Sequence, residues 1–311
     1  MEKMKFIDLF AGCGGMSKGF ELAGMEGIGF VEFWQPAIDT HLKNCGGILI
    51  GKDITQIKDE EVKSIGEVDI IIGEPPCQGF SLAGRRRTYD PRNRLFEEFV
   101  RFVRILKPKY FVMENVPGIG SMKNINGGFV IKEIFDIFRE LGYNVDCKVL
   151  NSENYGVPES RRRAIFLGNR IGVKNEYPEF VQTKVFLKEV LDLPYEELPE
   201  KQHVYEKVAT DKGYKFSFVK PGQNYGTYRA SNRRLKMDSF SYTITKGGRY
   251  IHPVFHRLLS VREEARIQSF PEEFVFTGSK DNMYAQIRNA MPVKMARAIA
   301  EKIMEMENGR N

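Results

Sequence analysis

The sequence predicts an α/β fold: a mostly parallel sheet covered on both faces by helices, joined to a smaller, irregular second domain. Three observations carry that reading. Short apolar runs alternate with amphipathic stretches from residue 5 to residue 168, and such alternation builds parallel sheets with crossover helices. The alternation stops after residue 170, and residues 175–255 are rich in Lys, Tyr, Pro and polar residues with short β-like pieces such as FSYTIT. The length of 311 residues gives room for one large core and a second small one.

The elements follow in order. KFIDLF (5–10) is a strand that stops at the glycine-rich AGCGG, and SKGFELAG is a short helix ended by Gly24. IGFVEF (28–33) is a second strand, PAIDTHLKN a helix, GILIGKD a third strand and VDIIIG (68–73) a fourth. LFEEFVRFVRILK puts Leu95, Phe99, Phe102 and Leu106 on one helical face. YFVMEN (110–115) is a fifth strand, FVIKEIFDIFRELG a helix stopped by Gly142, and VDCKVL and RAIFLG the last strands. Helix returns at SVREEARIQSF, and AQIRNAMPVKMARAIAEKI reads as one closing amphipathic helix packed on the first domain.

Hydrophobic residues make up 42% and charged residues 28% of the chain, an ordinary globular composition. No window approaches the ~20 apolar residues of a membrane span, and MEKMKFIDLF holds no apolar run of signal-peptide length. A cytoplasmic protein is expected. The four cysteines (13, 45, 77, 147) form no CxxC pair, and no metal site is expected; His252 and His256 are separated by Pro253. The net charge of +6 is concentrated: residues 210–250 hold nine Lys or Arg against two Asp, a net +7, with eight aromatics. That concentration suits a polyanion partner. A solvated basic face gives the same count.

Ligands of such sheets bind beyond the carboxyl ends of the strands. The first strand runs into Gly12, Gly14 and Gly15, whose small size lets a ligand approach the backbone. The second ends with Glu32 and the third with Asp53. A glycine turn followed by two strand-end acids suits an adenosine-containing cofactor; two capping carboxylates give the same pattern. The fourth ends in GEPPCQGFS, where Pro75 and Pro76 stiffen the backbone before Cys77. Beyond it, LAGRRRTYDPRNR carries five arginines, which favour a thiolate and suit a lid over phosphates. The fifth ends in Glu114-Asn115-Val116, a carboxylate at a neighbouring strand end.

DLFAGCGG, Glu32, GEPPCQGFS, ENV, PESRRRAIFLG, RLLSVREEARIQSFP and QIRNAMP occur in this order over essentially the whole chain. The sequence therefore resembles the carbon-5 cytosine-specific DNA methyltransferases of prokaryotic type. The resemblance implies a Rossmann-like, S-adenosylmethionine-dependent methyltransferase fold with a mixed, mostly parallel sheet. Residues 1–174 and 281–311 would form the catalytic domain and 175–280 a target-recognition domain. It implies Cys77 as nucleophile on carbon 6 of a flipped cytosine and Glu114 as acid partner at N3 and the exocyclic amine. Arg163 falls to the cytosine O2 and Arg161 to phosphate or loop contacts; water is left as base for the carbon-5 proton. Phe10, Gly12, Gly15, Glu32, Phe33, Asp53, Ile54, Pro76, Leu95 and Asn289 fall where the family contacts S-adenosylmethionine, with Phe33 against adenine. Ser81, Arg85, Arg86, Arg87, Arg229, Arg233, Arg234, Thr243 and Lys246 fall to DNA. Duplex DNA is the implied partner, with a separately encoded restriction endonuclease and a monomeric enzyme on the nucleoid.

Two departures stand out. Glu159 replaces the family's Gln in QxRxR, and Arg288 replaces Gly in QIGN. An arginine at a position needing φ > 0 would be strained. Two alternatives remain. A transfer-RNA branch of the family carries a CFT motif that this sequence lacks; a catalytically inactive DNA-binding homologue is favoured only by Arg288.

Overall fold

The computed structural model describes residues 2–75, 95–123, 127–191, 204–210, 213–219, 232–245, 249–254 and 258–309. The described strands β1 (Lys5–Leu9), β2 (Glu26–Val31), β3 (Ile48–Gly51), β4 (Ile70–Gly73), β5 (Tyr110–Asn115), β6 (Asn144–Asn151) and β8 (Arg162–Asn169) form one seven-stranded sheet. Its order is β3-β2-β1-β4-β5-β8-β6. Neighbours from β3 to β5 pair in parallel, while β8 runs antiparallel to both β5 and β6. The sheet is mixed and mostly parallel.

Strand order reverses at β1, which lies between β2 and β4. The loops leaving β1 and β4 diverge there and open a crevice at the carboxyl edge. The register places Leu9 opposite Gly73 and Gly73 opposite Met113. The next residues, Phe10, Glu74 and Glu114, therefore stand side by side on that edge.

Ile70, Ile71, Ile72, Tyr110, Phe111 and Val112 are fully buried, as central strands covered on both faces must be. One face packs α3 (Asp59–Ser64), α4 (Leu95–Leu106) and α5 (Val130–Glu140), where Phe99, Phe111, Phe138 and Tyr143 interlock. The other face packs α1 (Gly15–Leu22) and α9 (Val293–Asn308). Helix α2 (Gln35–Asn44) follows β2.

The closing helix expected over 285–303 is two helices, α8 (Lys280–Asn289) and α9, broken at Ala290-Met291-Pro292. Pro292 stands at the N-cap of α9, and the freed N–H groups find distant acceptors. Met291 N donates to Glu74 Oε1 at 3.3 Å and Val293 N to the Gln268 carbonyl at 3.2 Å.

A second apolar cluster joins Leu187 and Leu191, beside and within α6 (Lys188–Leu191), to Leu235, Ile244, Tyr250, Leu259 and Ile267. Helix α7 (Val261–Ile267) closes it. The strands β9 (Val204–Thr210) and β10 (Gly213–Val219) pair as an antiparallel ribbon. Two shorter parallel pairs follow, β11 (Asn232–Arg234) with β13 (Arg249–Ile251) and β12 (Ser241–Tyr242) with β7 (Glu159–Ser160). Residues 270–277, which the sequence assigns to the smaller domain, are tied to α2. Val275 N donates to Asn44 Oδ1 at 2.7 Å and Thr277 N to Thr40 Oγ1 at 3.0 Å.

Candidate active site

The turn after β1 is shaped by backbone geometry. Phe10, Gly12 and Gly14 have φ of 63°, 54° and 93°, and a Cβ built on Gly12 meets nothing within 4 Å. The left-handed turn at Gly12 therefore borders open space. Gly15 has another cause: its Cβ would lie 2.5 Å from the Met291 carbonyl oxygen. Close packing against the α8–α9 break excludes a side chain there.

Glu32 is buried and spans the turn. Its Oε2 accepts from Gly12 N at 2.9 Å and its Oε1 from Trp34 N at 2.8 Å. Burial pushes its pKa up, and these N–H groups pull it back. Beside it Phe33 is 75% exposed, a bare aromatic face at the crevice mouth. Asp53 caps the short turn at 54–56 by accepting from Thr55 N at 3.0 Å and Thr55 Oγ1 at 2.7 Å. Ile54 is buried, Leu95 half-buried at the start of α4, and Asn289 exposed at the end of α8.

A cluster of acids and guanidinium groups occupies the β4–β5–β8 edge. Arg163 Nε pairs with Glu114 Oε1, both side chains nearly buried. Glu74 stands next to them, its N–H on the Leu9 carbonyl at 3.2 Å and its carboxyl on Met291 N. Burial first, then the negative Glu114, pushes the Glu74 pKa well up, while Arg161 and Arg163 pull it down. The edge thus holds an acid inclined to keep a proton beside an acid paired with arginine. It can donate a hydrogen bond and stabilise charge at neighbouring points, as protonation of a heterocycle requires. Glu74 lies three residues before Cys77 in the chain.

The family model for C-5 cytosine-specific DNA methylases matches residues 4–305. The chain belongs to that family. It is 38% identical to the type II methyltransferase M1.HphI of Haemophilus parahaemolyticus, over 97% of this chain and 87% of that one. It is 36% identical to M.DdeI of Desulfomicrobium norvegicum, over 96% and 88%. Among solved structures, a putative DNA modification methyltransferase encoded within an E. coli prophage superposes with a TM-score of 0.75 at 25% identity, covering 98% of this chain and all of that one. The chain is a DNA (cytosine-5) methyltransferase, and its fold is the one those enzymes share.

In this methylase Arg161 is 3% exposed and grips backbone. Its Nη1 donates to the Ile244 carbonyl at 3.3 Å, and its Nη2 to the Arg288 and Asn289 carbonyls at 3.2 and 3.4 Å. Glu159 is wholly buried, and its Oε1 accepts from Ile244 N at 2.6 Å. Arg288 is not strained: it lies within α8 and has no positive φ. Its side chain turns to Glu264, with Nε on Oε2 at 2.8 Å and Nη2 on Oε1 at 2.6 Å, and lies over the Tyr284 ring.

Two residues the resemblance assigns to DNA make bonds within the chain. Arg234 Nη1 donates to the His252 and Pro253 carbonyls at 2.7 and 3.1 Å, and Thr243 Oγ1 to the Ser160 carbonyl at 2.8 Å. Only the backbone of Arg233 is described, within β11. Pro76, Cys77, Ser81, Arg85, Arg86, Arg87, Arg229 and Lys246 lie outside the described residues. Among the described residues no group of three His, Cys, Asp or Glu could hold a metal ion, and no helix is long and apolar enough to cross a membrane.

Sequence reasoning gave no role to Glu74, although GEPPCQGFS displays it at a strand end. It also missed a buried chain under the glycine turn. Ser17 Oγ donates to Asp8 Oδ2 at 2.5 Å and lies 3.1 Å from His41 Nε2. Asp8 is pushed up to about 7 and His41 down to about 3, both by burial. The Glu264 partner of Arg288 had no signal either, since nothing in the spacing pairs α7 with α8.

Proposed function

We propose that the enzyme methylates a cytosine flipped out of a short duplex site, with S-adenosylmethionine as donor and Cys77 as nucleophile. The observation that carries this reading is the Arg163–Glu114 pair at the sheet's carboxyl edge, beside the acid that leads into Pro75-Pro76-Cys77. The donor supplies an electrophilic methyl group. Glu32, Phe33 and Asp53 would hold its adenosine part, since the turn at Gly12 is open and Phe33 is bare. The oxygens of Glu32 and Asp53 keep lone pairs for hydroxyl and amine donors beyond the backbone bonds they accept.

The Cys77 thiolate adds to carbon 6 of the cytosine while Glu114, as the carboxylic acid, gives its proton to N3 and then accepts from the exocyclic amine, so that the adduct carries no net charge. Arg163 fixes the Glu114 carboxyl and presents its remaining N–H groups to the cytosine O2. Carbon 5 takes the methyl group as S-adenosylhomocysteine leaves, then loses its proton to water; expulsion of the thiolate and return of the N3 proton to Glu114 restore the aromatic ring. The cytosine must leave the stack for any of this to occur. The basic segment 210–250 and Arg85–Arg87 would grip the DNA around it. We set the recognition domain at 175 to about 269, because Leu259 and Ile267 belong to its apolar cluster whereas residues 270–277 bond to α2. We further propose that the enzyme acts as a monomer on the chromosome, beside a restriction endonuclease of the same specificity.

The test is transfer of tritiated methyl to plasmid DNA and to transfer RNA in parallel, by wild type and Cys77→Ser. Label in DNA alone, absent in the mutant, is expected, and bisulfite sequencing then reads the site. Label in RNA alone would move the substrate to transfer RNA. Label retained by Cys77→Ser would remove the nucleophile.

A further inference from the structure

The loop Ser241–Thr245 is held to the catalytic domain through residues 158–161. Ser241 N donates to the Pro158 carbonyl at 2.8 Å, and Ser241 and Tyr242 pair in parallel with Glu159 and Ser160. Glu159 takes the Ile244 N–H and Arg161 takes its carbonyl, so both polar groups of one buried peptide residue end on adjacent catalytic-domain side chains. From the other side Tyr250 clamps the loop, its hydroxyl donating to the Thr243 carbonyl at 2.9 Å and accepting from Thr245 N at 3.0 Å.

The other end of Arg161 binds the last carbonyls of α8, at Arg288 and Asn289. Those carbonyls have no partner within the helix, and a cation suits the helix carboxyl end. Asn289 begins the break whose next residues pack on Gly15 and donate to Glu74. One planar, rigid guanidinium therefore fixes the distance between the 241–245 loop and the glycine-turn side of the crevice.

We infer that Glu159 and Arg161 are positioning residues that couple the 241–245 loop to the cofactor edge at Asn289, so that a ligand bound at one end orders the other. This rests on the proposed cofactor crevice. It also accounts for the carboxyl at position 159, because a carboxyl or a carboxamide oxygen accepts the Ile244 N–H equally, whereas an alkyl group does not.

Hydrogen–deuterium exchange of the full chain with saturating S-adenosylhomocysteine tests the coupling without DNA. In wild type, the ligand should slow exchange of the peptide covering 241–245 about tenfold, with helix α5, which packs on the far face of the sheet, unchanged as control. Arg161→Lys, which keeps the charge but loses the fork, should bind the ligand yet lose that protection. Glu159→Gln should keep it and Glu159→Ala lose it. Calorimetry on the same samples reports binding. Binding to wild type without protection of 241–245, or protection that survives in Arg161→Lys, overturns the coupling alone. No binding to wild type overturns the cofactor crevice and the coupling together.

Discussion

At the scale of single residues, Arg288 and Asp8 show how burial decides what a departure or a motif residue does. Glu264 is 1% exposed, and a buried carboxylate is tolerated only with a partner. Arg288 is that partner through two bonds, so the arginine is compensated within the chain rather than aimed at the crevice. Arg288→Gly, which restores the family's residue, should therefore destabilise the protein by about 3–5 kcal/mol in urea unfolding, because it strands Glu264. An unchanged midpoint would show the pair to be dispensable. Asp8 and His41 oppose one another in their response to pH. Between 3.8 and about 7 the folded chain keeps a proton on Asp8 that the unfolded chain has lost, so this group's stabilisation fades as pH rises. Between about 3 and 6.5 the unfolded chain protonates His41 and the folded chain does not, so that term grows as pH rises. The two slopes nearly cancel in wild type. Asp8→Asn leaves the His41 slope uncovered, about 1.4 kcal/mol per pH unit. Relative to wild type, the mutant should gain about 2–3 kcal/mol between pH 4.5 and 6.5 in urea titrations. Parallel curves for the two proteins would mean that Asp8 is ionised in the fold.

At the scale of elements, close approach matters more than hydrophobic pattern. Helices α1 and α9 cross at Gly19, where a Cβ would lie 2.4 Å from the Ala296 Cβ and 2.7 Å from both Arg297 N and the Val293 carbonyl. Two of those three neighbours are backbone, which cannot rotate away. Gly19→Ala should therefore cost about 1–3 kcal/mol although alanine is the better helix former. A stabilised variant in thermal unfolding would show that α9 can shift. The same contrast separates what could be read in the sequence from what could not. Strands β1, β4 and β5 were legible because continuous apolar runs ending at glycine or acid suit little else. Helix α3, with Val62 as its buried residue, has no apolar stripe to reveal it. The break between α8 and α9 was hidden because apolar spacing continues across Ala290 and Met291. It is fixed by Glu74 and Gln268, acceptors that the fold alone brings near. Glu74 escaped for the same reason: its character depends on Glu114, which the strand register places beside it, and on Met291, which the α8–α9 break brings to it.

At the scale of the whole molecule, the sheet supplies rigidity and the charge supplies reach. The chemistry-bearing residues follow strands locked on both faces, so small displacements at the crevice meet a close-packed core. The net +6 is more than accounted for by residues 210–250 at +7, which leaves the remainder near neutral. Attraction to DNA should therefore come from that segment and from the arginine-rich stretch after Cys77, not from a diffuse positive surface. Each phosphate neutralised releases condensed counterions and adds about 0.9 to the slope of log affinity against log salt. If the 210–250 segment and Arg85–Arg87 both lie on phosphates, affinity for a duplex should fall about 10³–10⁵-fold between 50 and 200 mM salt. Replacing Arg85, Arg86 and Arg87 together by alanine should lower the slope by about 3, while substitutions on α9, on the opposite side of the sheet from α4, leave it unchanged. Fluorescence anisotropy of a labelled duplex over that salt range measures both. A wild-type slope near one would place most of these cations away from the backbone, and an unaltered slope in the triple variant would remove the arginine stretch from the DNA contact.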